Sequence, residues 1–172
     1  HSQKTEPWKI TLVDTGETTC TGGRLLKVKE YIENEEHFFF TYGDGLSDIN
    51  INKLLAHHIK EGKKATLTAV KPPSRFGVLK LEGNNVVNFQ EKPEGDNAWI
   101  NGGFFVLRPL VLDLINGPNC IWEREPLTNL ATQGELTAYK HNGFWLPMDT
   151  FRDKKILEEL WDNKSAPWKV WK

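Results

Sequence analysis

The alternation of strand-like and helix-like segments restricts the fold of this chain more than any other feature of its sequence. Residues 38–42, Phe-Phe-Phe-Thr-Tyr, lack polar alternation, which is typical of a strand covered on both faces, and we interpret them as a central parallel strand. A Gly-Asp-Gly loop follows, after which Asp48 or Asn50 is placed to cap a helix that Gly62 ends. This order of strand, loop and helix is the repeating unit of α/β sheets.

The remaining periodic segments predict further elements of the same architecture. Strands are expected at 65–70, 100–107 and 136–139, together with an antiparallel hairpin formed by 78–81 and 86–89. Helices are expected at 24–32, 110–115 and 127–132, and after residue 149. The predicted fold class is therefore α/β, a Rossmann-like mixed, mainly parallel sheet with flanking helices, in a single domain that spans residues 1–172.

Composition and charge argue against several classes of function. Charged residues make up 26% of the chain and the formal net charge is −1, so no long-range field attracts nucleic acid or an acidic membrane. Cys20 and Cys120 are expected to be reduced thiols rather than a disulfide. No apolar run approaches the ~18 residues of a membrane span, and the first residues lack a signal-peptide pattern, so we predict a cytoplasmic protein. Because the sequence opens with His1 rather than Met, we also expect a processed or truncated product.

Two aspartates are candidates for a metal site. Asp44 lies between glycines just after the strand at 38–42, where ligands bind in open α/β sheets, and its carboxylate suits Mg²⁺. The alternative is a turn residue that bonds its own backbone. Asp149 again lies between a strand and a helix, but Thr150 and Asp153 have the spacing of a capping box, so an ordinary helix start is the alternative there. Taken as a pair at one edge of the sheet, the two carboxylates predict a shared Mg²⁺ ion.

Two other segments are candidates for binding phosphate and sugar. Glu91 and Lys92 end the hairpin, and a carboxylate for sugar hydroxyls beside an ammonium for phosphate suits a sugar phosphate, although such pairs are common on solvated surfaces. Residues 19–24, Thr-Cys-Thr-Gly-Gly-Arg, offer backbone amides, a hydroxyl and a guanidinium to a nucleotide, or are simply a turn before a helix. The adjacent His57 and His58 point in different directions on a helix and predict no metal site.

An ordered set of short motifs runs through the chain. The motifs are Trp-Lys-Ile-Thr-Leu-Val-Asp-Thr-Gly at 8–16, Thr-Gly-Gly-Arg at 21–24, Tyr-Gly-Asp-Gly at 42–45, Arg-Phe-Gly at 75–77, Glu-Lys-Pro at 91–93, Ile-Asn-Gly-Gly-Phe-Phe-Val at 100–106, Trp-Glu at 122–123 and Pro-Met-Asp-Thr at 147–150. In this order they resemble the sugar-1-phosphate nucleotidyltransferases over nearly the whole chain, and most of all the members that act on CTP and glucose 1-phosphate.

The resemblance implies a nucleotide-diphospho-sugar transferase fold and an enzyme that joins CTP to α-D-glucose 1-phosphate, forming CDP-glucose and pyrophosphate with Mg²⁺ as cofactor. It implies that Asp44 and Asp149 hold the metal and act in catalysis together with Lys92. It also implies a homo-oligomer, such as a hexamer, that serves the synthesis of bacterial surface polysaccharide, including the O-antigen of lipopolysaccharide. The implied binding residues are, for the nucleotide, Thr19, Arg24 and Gly43 and, for the sugar phosphate, Gly77, Glu91, Lys92 and Asn101.

One feature of the family is not found in these residues. Members begin with a strand and a Gly-Gly-x-Gly-Thr-Arg loop, followed by a lysine, that wraps the nucleotide phosphates. We therefore expect an N-terminally incomplete fold, the C-terminal two-thirds of the family domain, with half a nucleotide pocket. Two alternatives stay open. One is a thymidylyl- or uridylyltransferase of the same family, and the other is a non-catalytic nucleotide-sugar binding domain or inactive fragment.

Overall fold

The computed structural model of the chain describes residues 8–72, 78–90 and 98–171, with the backbone alone at 78–81 and 88–90. Its helices are α1 (Thr21–Lys27), α2 (Lys29–Ile32), α3 (Ile51–Glu61), α4 (Glu125–Thr132) and α5 (Phe151–Asp162), with a 3₁₀ helix at Pro109–Leu114. Its strands are β1 (Phe38–Thr41), β2 (Gly45–Ser47), β3 (Ala65–Val70), β4 (Val78–Glu82), β5 (Asn85–Gln90), β6 (Ile100–Leu107), β7 (Leu136–His141) and β8 (Trp145–Pro147).

Four strands form the main sheet of the described ranges, in the order β1-β6-β3-β7. Strands β3 and β7 are parallel, whereas β6 runs antiparallel to both β1 and β3. The other strands form two antiparallel pairs, the ribbon β2/β8 and the hairpin β4/β5. The prediction of an α/β fold with a mixed sheet and flanking helices is confirmed, and the hairpin lies where the sequence predicts it.

The interpretation of residues 38–42 as a central parallel strand is wrong. Strand β1 lies at the edge of the described sheet and pairs antiparallel with β6, with Phe40 opposite Phe105. Its aromatic side chains are not covered on both faces, because Phe38 is buried whereas Phe39 is 50% exposed. Aromatic residues favour any half-buried pleated surface, so the composition of the run does not distinguish an edge strand from a central one.

The main hydrophobic core lies between the sheet and the segments that follow β6. Phe105 in β6 stacks on Phe40 with 5.5 Å between ring centroids and meets Trp122 edge-on at 6.0 Å. Val111 in the 3₁₀ helix and Leu130 in α4 belong to the same fully buried cluster. Each such side chain stabilises the fold by about 1.5–3 kcal/mol through burial. The cluster thereby fixes β1 and β6, the two strands from which much of the candidate site is built.

The local signals for helix ends are confirmed in α3. The Asn50 side chain accepts a hydrogen bond from the backbone N–H of Lys53 at 2.9 Å, and Gly62 ends the helix in the left-handed conformation, with φ +67°. The helix expected at 24–32 is divided at Val28 into α1 and α2. Both cysteines are free thiols, as predicted. None of the helices in the described ranges has the length and apolar character that crossing a membrane requires.

The neighbouring histidines of α3 occupy different environments, as predicted. His58 is fully buried with its Nδ1 2.7 Å from the Thr66 hydroxyl, whereas the ring of His57 packs edge-on against a tyrosine of β7. Burial lowers the pKa of His58 to about 4, and coulombic interactions with His37 and Arg108 act in the same direction. His58 is therefore neutral at pH 7 and belongs to the core.

Candidate active site

The ribbon β2/β8 brings the two candidate metal ligands to one of its ends. Gly45 pairs with Pro147, and the backbone N–H of Met148 donates to the carbonyl oxygen of Asp44 at 2.8 Å. Because Asp149 directly follows Met148 and paired strands lie about 4.8 Å apart, the two aspartates are carried on adjacent backbone segments. Both residues are exposed. This placement is compatible with a shared ion, and the metal role stays a prediction.

The ordinary helix start predicted after Asp149 is confirmed, and it is formed by Thr150 and Asp153. Helix α5 is capped by Thr150, whose hydroxyl accepts from the backbone N–H of Asp153 at 3.2 Å. The Asp153 carboxylate accepts in return from the backbone N–H of Thr150 at 3.0 Å, which completes the predicted capping box. Thr150, which starts the helix, is therefore the direct neighbour of Asp149, whose metal role stays a prediction.

The opposite end of the ribbon is closely packed. Nε2 of His141, at the end of β7, lies 2.9 Å from Asp48 Oδ1. The same nitrogen lies 3.2 Å from both the Ser47 hydroxyl and the Phe144 carbonyl oxygen. Since carboxylates and carbonyls only accept hydrogen bonds, Nε2 carries a proton in this arrangement. A Cβ on Gly143 would overlap the Asp48 carboxylate and come within 2.7 Å of the His141 ring, so a side chain here would force these two groups to move.

The cluster of Ser47, Asp48 and His141 is not a hydrolytic triad. In such a triad the serine and the carboxylate contact opposite nitrogens of the imidazole, whereas both groups here lie against Nε2. The Ser47 hydroxyl also donates to the Phe144 carbonyl oxygen at 2.8 Å. The cluster therefore joins the ribbon to β7 rather than activating a nucleophile.

Tyr42, directly after β1, connects the Asp44 loop with two other segments. Its hydroxyl donates to Glu123 Oε1 at 2.5 Å and accepts from Asn101 Nδ2 at 3.3 Å. The second carboxylate oxygen of Glu123 accepts from the Thr21 hydroxyl at 2.7 Å. Burial raises the pKa of Tyr42, and the hydrogen bond to Glu123 raises it further, so the hydroxyl stays protonated. The amide of Asn101, predicted at the sugar phosphate, is thus held beside the Asp44 loop.

The predicted nucleotide residues Thr19 and Arg24 lie together around the turn before α1. Thr19 is buried, and its hydroxyl donates to the Thr15 carbonyl oxygen at 2.6 Å. Arg24 donates to the Thr15 hydroxyl and, at 3.1 Å, to the Glu17 carbonyl oxygen. Lys27 also donates to the Thr15 carbonyl oxygen, at 2.9 Å. These bonds brace the turn, and contact of Thr19 and Arg24 with a nucleotide stays a prediction.

The two glycines of α1 have a packing role. The backbone N–H groups of Gly22 and Gly23 donate to the Cys120 carbonyl oxygen at 3.0 and 3.2 Å. A Cβ on Gly22 would lie 2.8 Å from that oxygen, and one on Gly23 would overlap the Pro118 carbonyl. The interpretation that these amides are offered to a nucleotide is therefore wrong, because they are already bonded within the protein. The glycines instead allow α1 to approach residues 118–120 closely.

The other predicted contact residues are only partly described. Gly43, the third predicted nucleotide residue, is exposed and has open space where a Cβ would project. Asn101 is the one predicted sugar-phosphate residue within the described ranges. Gly77, Glu91 and Lys92 lie outside the described residues, and their assignments stay predictions.

Sequence reasoning did not include Glu123 or Thr21 among the site residues. The Trp-Glu motif at 122–123 marked the position of Glu123 but gave no partner for it. Glu123 lies 81 residues from Tyr42 and 102 from Thr21 in the chain, and a separation of that size leaves no periodic signal in the sequence. Only the fold brings the three side chains together.

The two carboxylates at the exposed end of the ribbon, those of Asp44 and Asp149, fit a hard divalent cation. Mg²⁺ binds carboxylate, phosphate and water oxygens and commonly takes only one or two protein carboxylates. The described ranges contain no group of three or more His, Cys, Asp or Glu side chains arranged for metal binding. Asp44 and Asp149 therefore suit a cation whose other ligands come from substrate phosphates and water, rather than one enclosed by protein.

Comparison with known proteins assigns the chain to a class. Residues 3–145 match the nucleotidyl transferase family, which is more than half of the chain. The chain therefore belongs to the nucleotidyl transferase family, and the predicted relationship to the sugar-1-phosphate nucleotidyltransferases is confirmed.

Two bacterial proteins and one solved structure show what the chain is similar to. The chain is 57% identical over 171 residues to the glucose-1-phosphate cytidylyltransferases of Salmonella typhi and of Salmonella typhimurium strain LT2. Each comparison covers 99% of this chain, and the chain spans 66% of the length of these relatives. The solved structure of HddC from Yersinia pseudotuberculosis has a TM-score of 0.62 at 19% identity, covering 84% of this chain and 64% of that chain. The last likeness concerns the fold alone.

Proposed function

We propose that the gene product containing this chain is a glucose-1-phosphate cytidylyltransferase, which forms CDP-glucose and pyrophosphate from CTP and α-D-glucose 1-phosphate. The observation that carries the proposal is the position of Asp44 and Asp149 on adjacent backbone segments at the exposed end of the ribbon. The 57% identity to two relatives of that name supports CTP as the nucleotide, rather than UTP or dTTP.

In the proposed reaction an oxygen of the glucose 1-phosphate group attacks the α-phosphorus of CTP. The new phosphorus–oxygen bond forms as the bond to the β-phosphate breaks, and pyrophosphate leaves. Such a transfer depends mainly on positioning and on neutralising charge, because the protein has little covalent work to do. Asn101 would bind the sugar phosphate with an amide already oriented by Tyr42, while Glu91 and Gly77 would contact the same substrate and Lys92 would offset its negative charge.

Asp44 and Asp149 would hold Mg²⁺, which neutralises charge on the reacting phosphates when it is bound. On the nucleotide side, the Gly43 backbone is open to an approaching ligand. Arg24 has five N–H donors and uses two bonds to brace the turn at Thr15, so donors remain for a phosphate or sugar oxygen. These roles follow from the family resemblance and from the placement of the described residues.

The assembly and setting of the protein are further parts of the proposal. From the family resemblance we infer a homo-oligomer, such as a hexamer, that works in the bacterial cytoplasm on precursors of surface polysaccharide. Size-exclusion chromatography with light scattering on the purified gene product would measure the subunit number directly.

The test of the function uses the purified gene product with glucose 1-phosphate, Mg²⁺ and each of CTP, UTP and dTTP. Pyrophosphate release gives the rate, and chromatography identifies the nucleotide sugar. We expect CDP-glucose as the main product, with kcat/KM for CTP at least about a hundredfold above the other two, since a site that hydrogen-bonds one base leaves buried groups unpaired with another.

A preference for UTP or dTTP would replace the proposal with another member of the same family. If no nucleotide is turned over, calorimetry with CDP-glucose decides between the remaining readings. Micromolar binding without turnover would favour a nucleotide-sugar binding domain, and the absence of binding would leave no support for either function.

A further inference from the structure

Four polar side chains from separate parts of the fold form one hydrogen-bonded series. Thr21 in α1 donates to Glu123, Tyr42 donates to the other oxygen of Glu123, and Asn101 in β6 donates to Tyr42. Two ends of the series are tied to the backbone, because the Thr21 hydroxyl accepts from the N–H of Trp122 at 3.0 Å and Asn101 Oδ1 accepts from that of Gly103 at 2.9 Å. The series therefore links α1, the Asp44 loop and β6.

The ring at the centre of this series has little freedom to move. A Cβ on Gly103 would lie 2.5 Å from Cδ2 of the Tyr42 ring, so the ring occupies the space that a side chain at position 103 would need. Phe40 and Phe105 meet the same ring edge-on, each with 5.9 Å between centroids. The position of the Tyr42 hydroxyl is therefore set by packing, and its direction is set by its partners.

The donor and acceptor roles in the series are fixed by elementary chemistry. A carboxylate only accepts, so Glu123 takes the proton of the Tyr42 hydroxyl at one oxygen and that of the Thr21 hydroxyl at the other. With its own proton committed, Tyr42 can only accept from Asn101 Nδ2, which determines which way the Asn101 amide faces. An amide at this position would keep only one acceptor oxygen, so at least one of the two hydroxyls would lose its partner.

We propose that Glu123 is a positioning residue that fixes Tyr42 and, through it, sets the Asn101 amide and the start of the Gly43–Asp44 loop relative to each other. The inference rests on the proposed function, because Asn101 and Asp44 serve the sugar phosphate and the metal there. Glu123 itself bonds Thr21 and Tyr42 and acts on the substrates only through them. An amide in place of this carboxylate keeps the shape but can no longer accept at both ends.

The test compares three variants of the gene product, Glu123→Gln, Tyr42→Phe and the double variant. Misplacing a binding group by about 1 Å can cost roughly a hundredfold in rate, and for this indirect effect we expect roughly a tenfold or greater loss in kcat/KM for glucose 1-phosphate. The KM for CTP should change less than that for glucose 1-phosphate, because Asn101 is bonded directly to Tyr42 whereas the Gly43 backbone is reached only along the chain. The double variant should be no worse than the more damaged single variant, since both substitutions break one series.

The matched controls are Glu125→Gln, an exposed glutamate two residues away, and Tyr31→Phe, an exposed tyrosine in α2. Both should keep wild-type kinetics. If the Glu123 hydrogen bonds only stabilised the fold, the variants would lower the melting temperature and change both KM values together. Equal increases in the two KM values, additive losses of kcat/KM in the double variant, or unchanged kinetics in Glu123→Gln would each overturn the positioning role.

A second measurement separates failure of this inference from failure of the proposed function. The side-chain amide protons of Asn101 are followed by ¹⁵N NMR in wild type, Glu123→Gln and Glu125→Gln. If the wild-type protein turns over no sugar phosphate, the proposed function fails, yet the NMR signal still reports the positioning. A shift of the Asn101 resonances in Glu123→Gln alone supports the inference, and unchanged resonances in that variant contradict it.

Discussion

The two ends of the β2/β8 ribbon differ in how their carboxylates are used. At one end Asp44 and Asp149 are exposed, and a backbone hydrogen bond to the carbonyl of Asp44 joins the two segments. At the other end Asp48 Oδ1 lies 2.9 Å from His141 Nε2, and a Cβ on Gly143 would overlap the same carboxylate. One end keeps its acidic groups accessible to a ligand, and the other uses its acidic group to hold the fold.

Contacts at the end of the ribbon near His141, the closed end, explain how the ribbon is stable enough to carry Asp44 and Asp149 at its other, open end. Each strand of the ribbon has three residues, and an isolated pair of that size is not stable in water. The His141 contacts fasten it to β7, and Trp145 Nε1 donates to the Gly102 carbonyl oxygen at 2.8 Å, which fastens it to β6. Anchored in this way, the ribbon carries Asp44 and Asp149 at an exposed end.

Replacing Asp44 by asparagine gives the largest effect expected from this comparison. Loss of a metal ligand should lower kcat for CDP-glucose formation by roughly 10³-fold, about 4 kcal/mol of activation free energy, because charge on the phosphates is no longer neutralised. The melting temperature should stay at the wild-type value, since Asp44 is exposed. Asp113→Asn, an exposed aspartate of the 3₁₀ helix, is the control and should be fully active. Substantial activity in Asp44→Asn would end the metal assignment.

Replacing Gly143 by alanine, at the end of the ribbon near His141, should lower the stability of the protein, whereas Asp44→Asn lowers its activity. The new Cβ would overlap the Asp48 carboxylate, and overpacking of this kind costs about 3 kcal/mol at its upper range. Urea unfolding of the gene product measures the loss. Gly45→Ala on the same ribbon is the matched control, because a Cβ there meets only Phe104, at an ordinary 3.9 Å. Equal stability of the two variants would show that the closed end is not a packed anchor.

Unfolding at lower pH tests how much the buried core residue His58 contributes to stability. His58 has a pKa of about 4 in the folded protein against about 6.5 in the unfolded chain, so the unfolded chain binds more protons between these values. Its contribution is complete above pH 6.5 and is lost as the pH falls towards 4, which lowers the free energy of unfolding by about 2 kcal/mol between pH 7 and pH 5.

The measurement for this prediction is urea unfolding at pH 7, 6 and 5. In His58→Gln the pH dependence should be shallower by that amount, whatever the variant's stability at pH 7. His57→Gln, the same substitution at the neighbouring position of α3, is the matched control, and its slope should exceed that of His58→Gln. If His58→Gln kept the full slope, a group other than His58 would set the acid stability.

Local features of the fold were predictable from the sequence because their causes are local. Helix α3 begins after Asn50 because its side chain can accept a backbone hydrogen bond, and it ends before Gly62 because glycine adopts the left-handed conformation. The hairpin and the buried strand β6 follow from short-range patterns. The place of β1 at the edge of the described sheet was not predictable, because it depends on which strands pair, and the pairing residues Phe40 and Phe105 are far apart in the chain.

The candidate site divides in the same way. Asp44 and Asp149 were identified from their positions after strands, but the ribbon that brings them together was not, since a three-residue strand leaves almost no pattern. Glu123 was noticed only as part of a motif, because its role depends on Tyr42 and Thr21. Composition and spacing thus found the chemical groups, and tertiary structure decided which of them meet.

Replacing Thr150 by alanine gives the smallest effect and tests whether the capping box is separate from its neighbour Asp149. Loss of the cap should lower the free energy of unfolding by about 1 kcal/mol, because the backbone N–H of Asp153 loses its acceptor. Thr132→Ala at the end of α4 is the matched control, since that hydroxyl only donates back to Thr128 within its own helix. Activity at a temperature where both variants are folded should stay within about twofold of wild type. A loss as large as that of Asp44→Asn, without a change in stability, would mean that Thr150 rather than Asp149 serves the reacting phosphates, and the contrast between the ends of the ribbon would need a different acidic partner for Asp44.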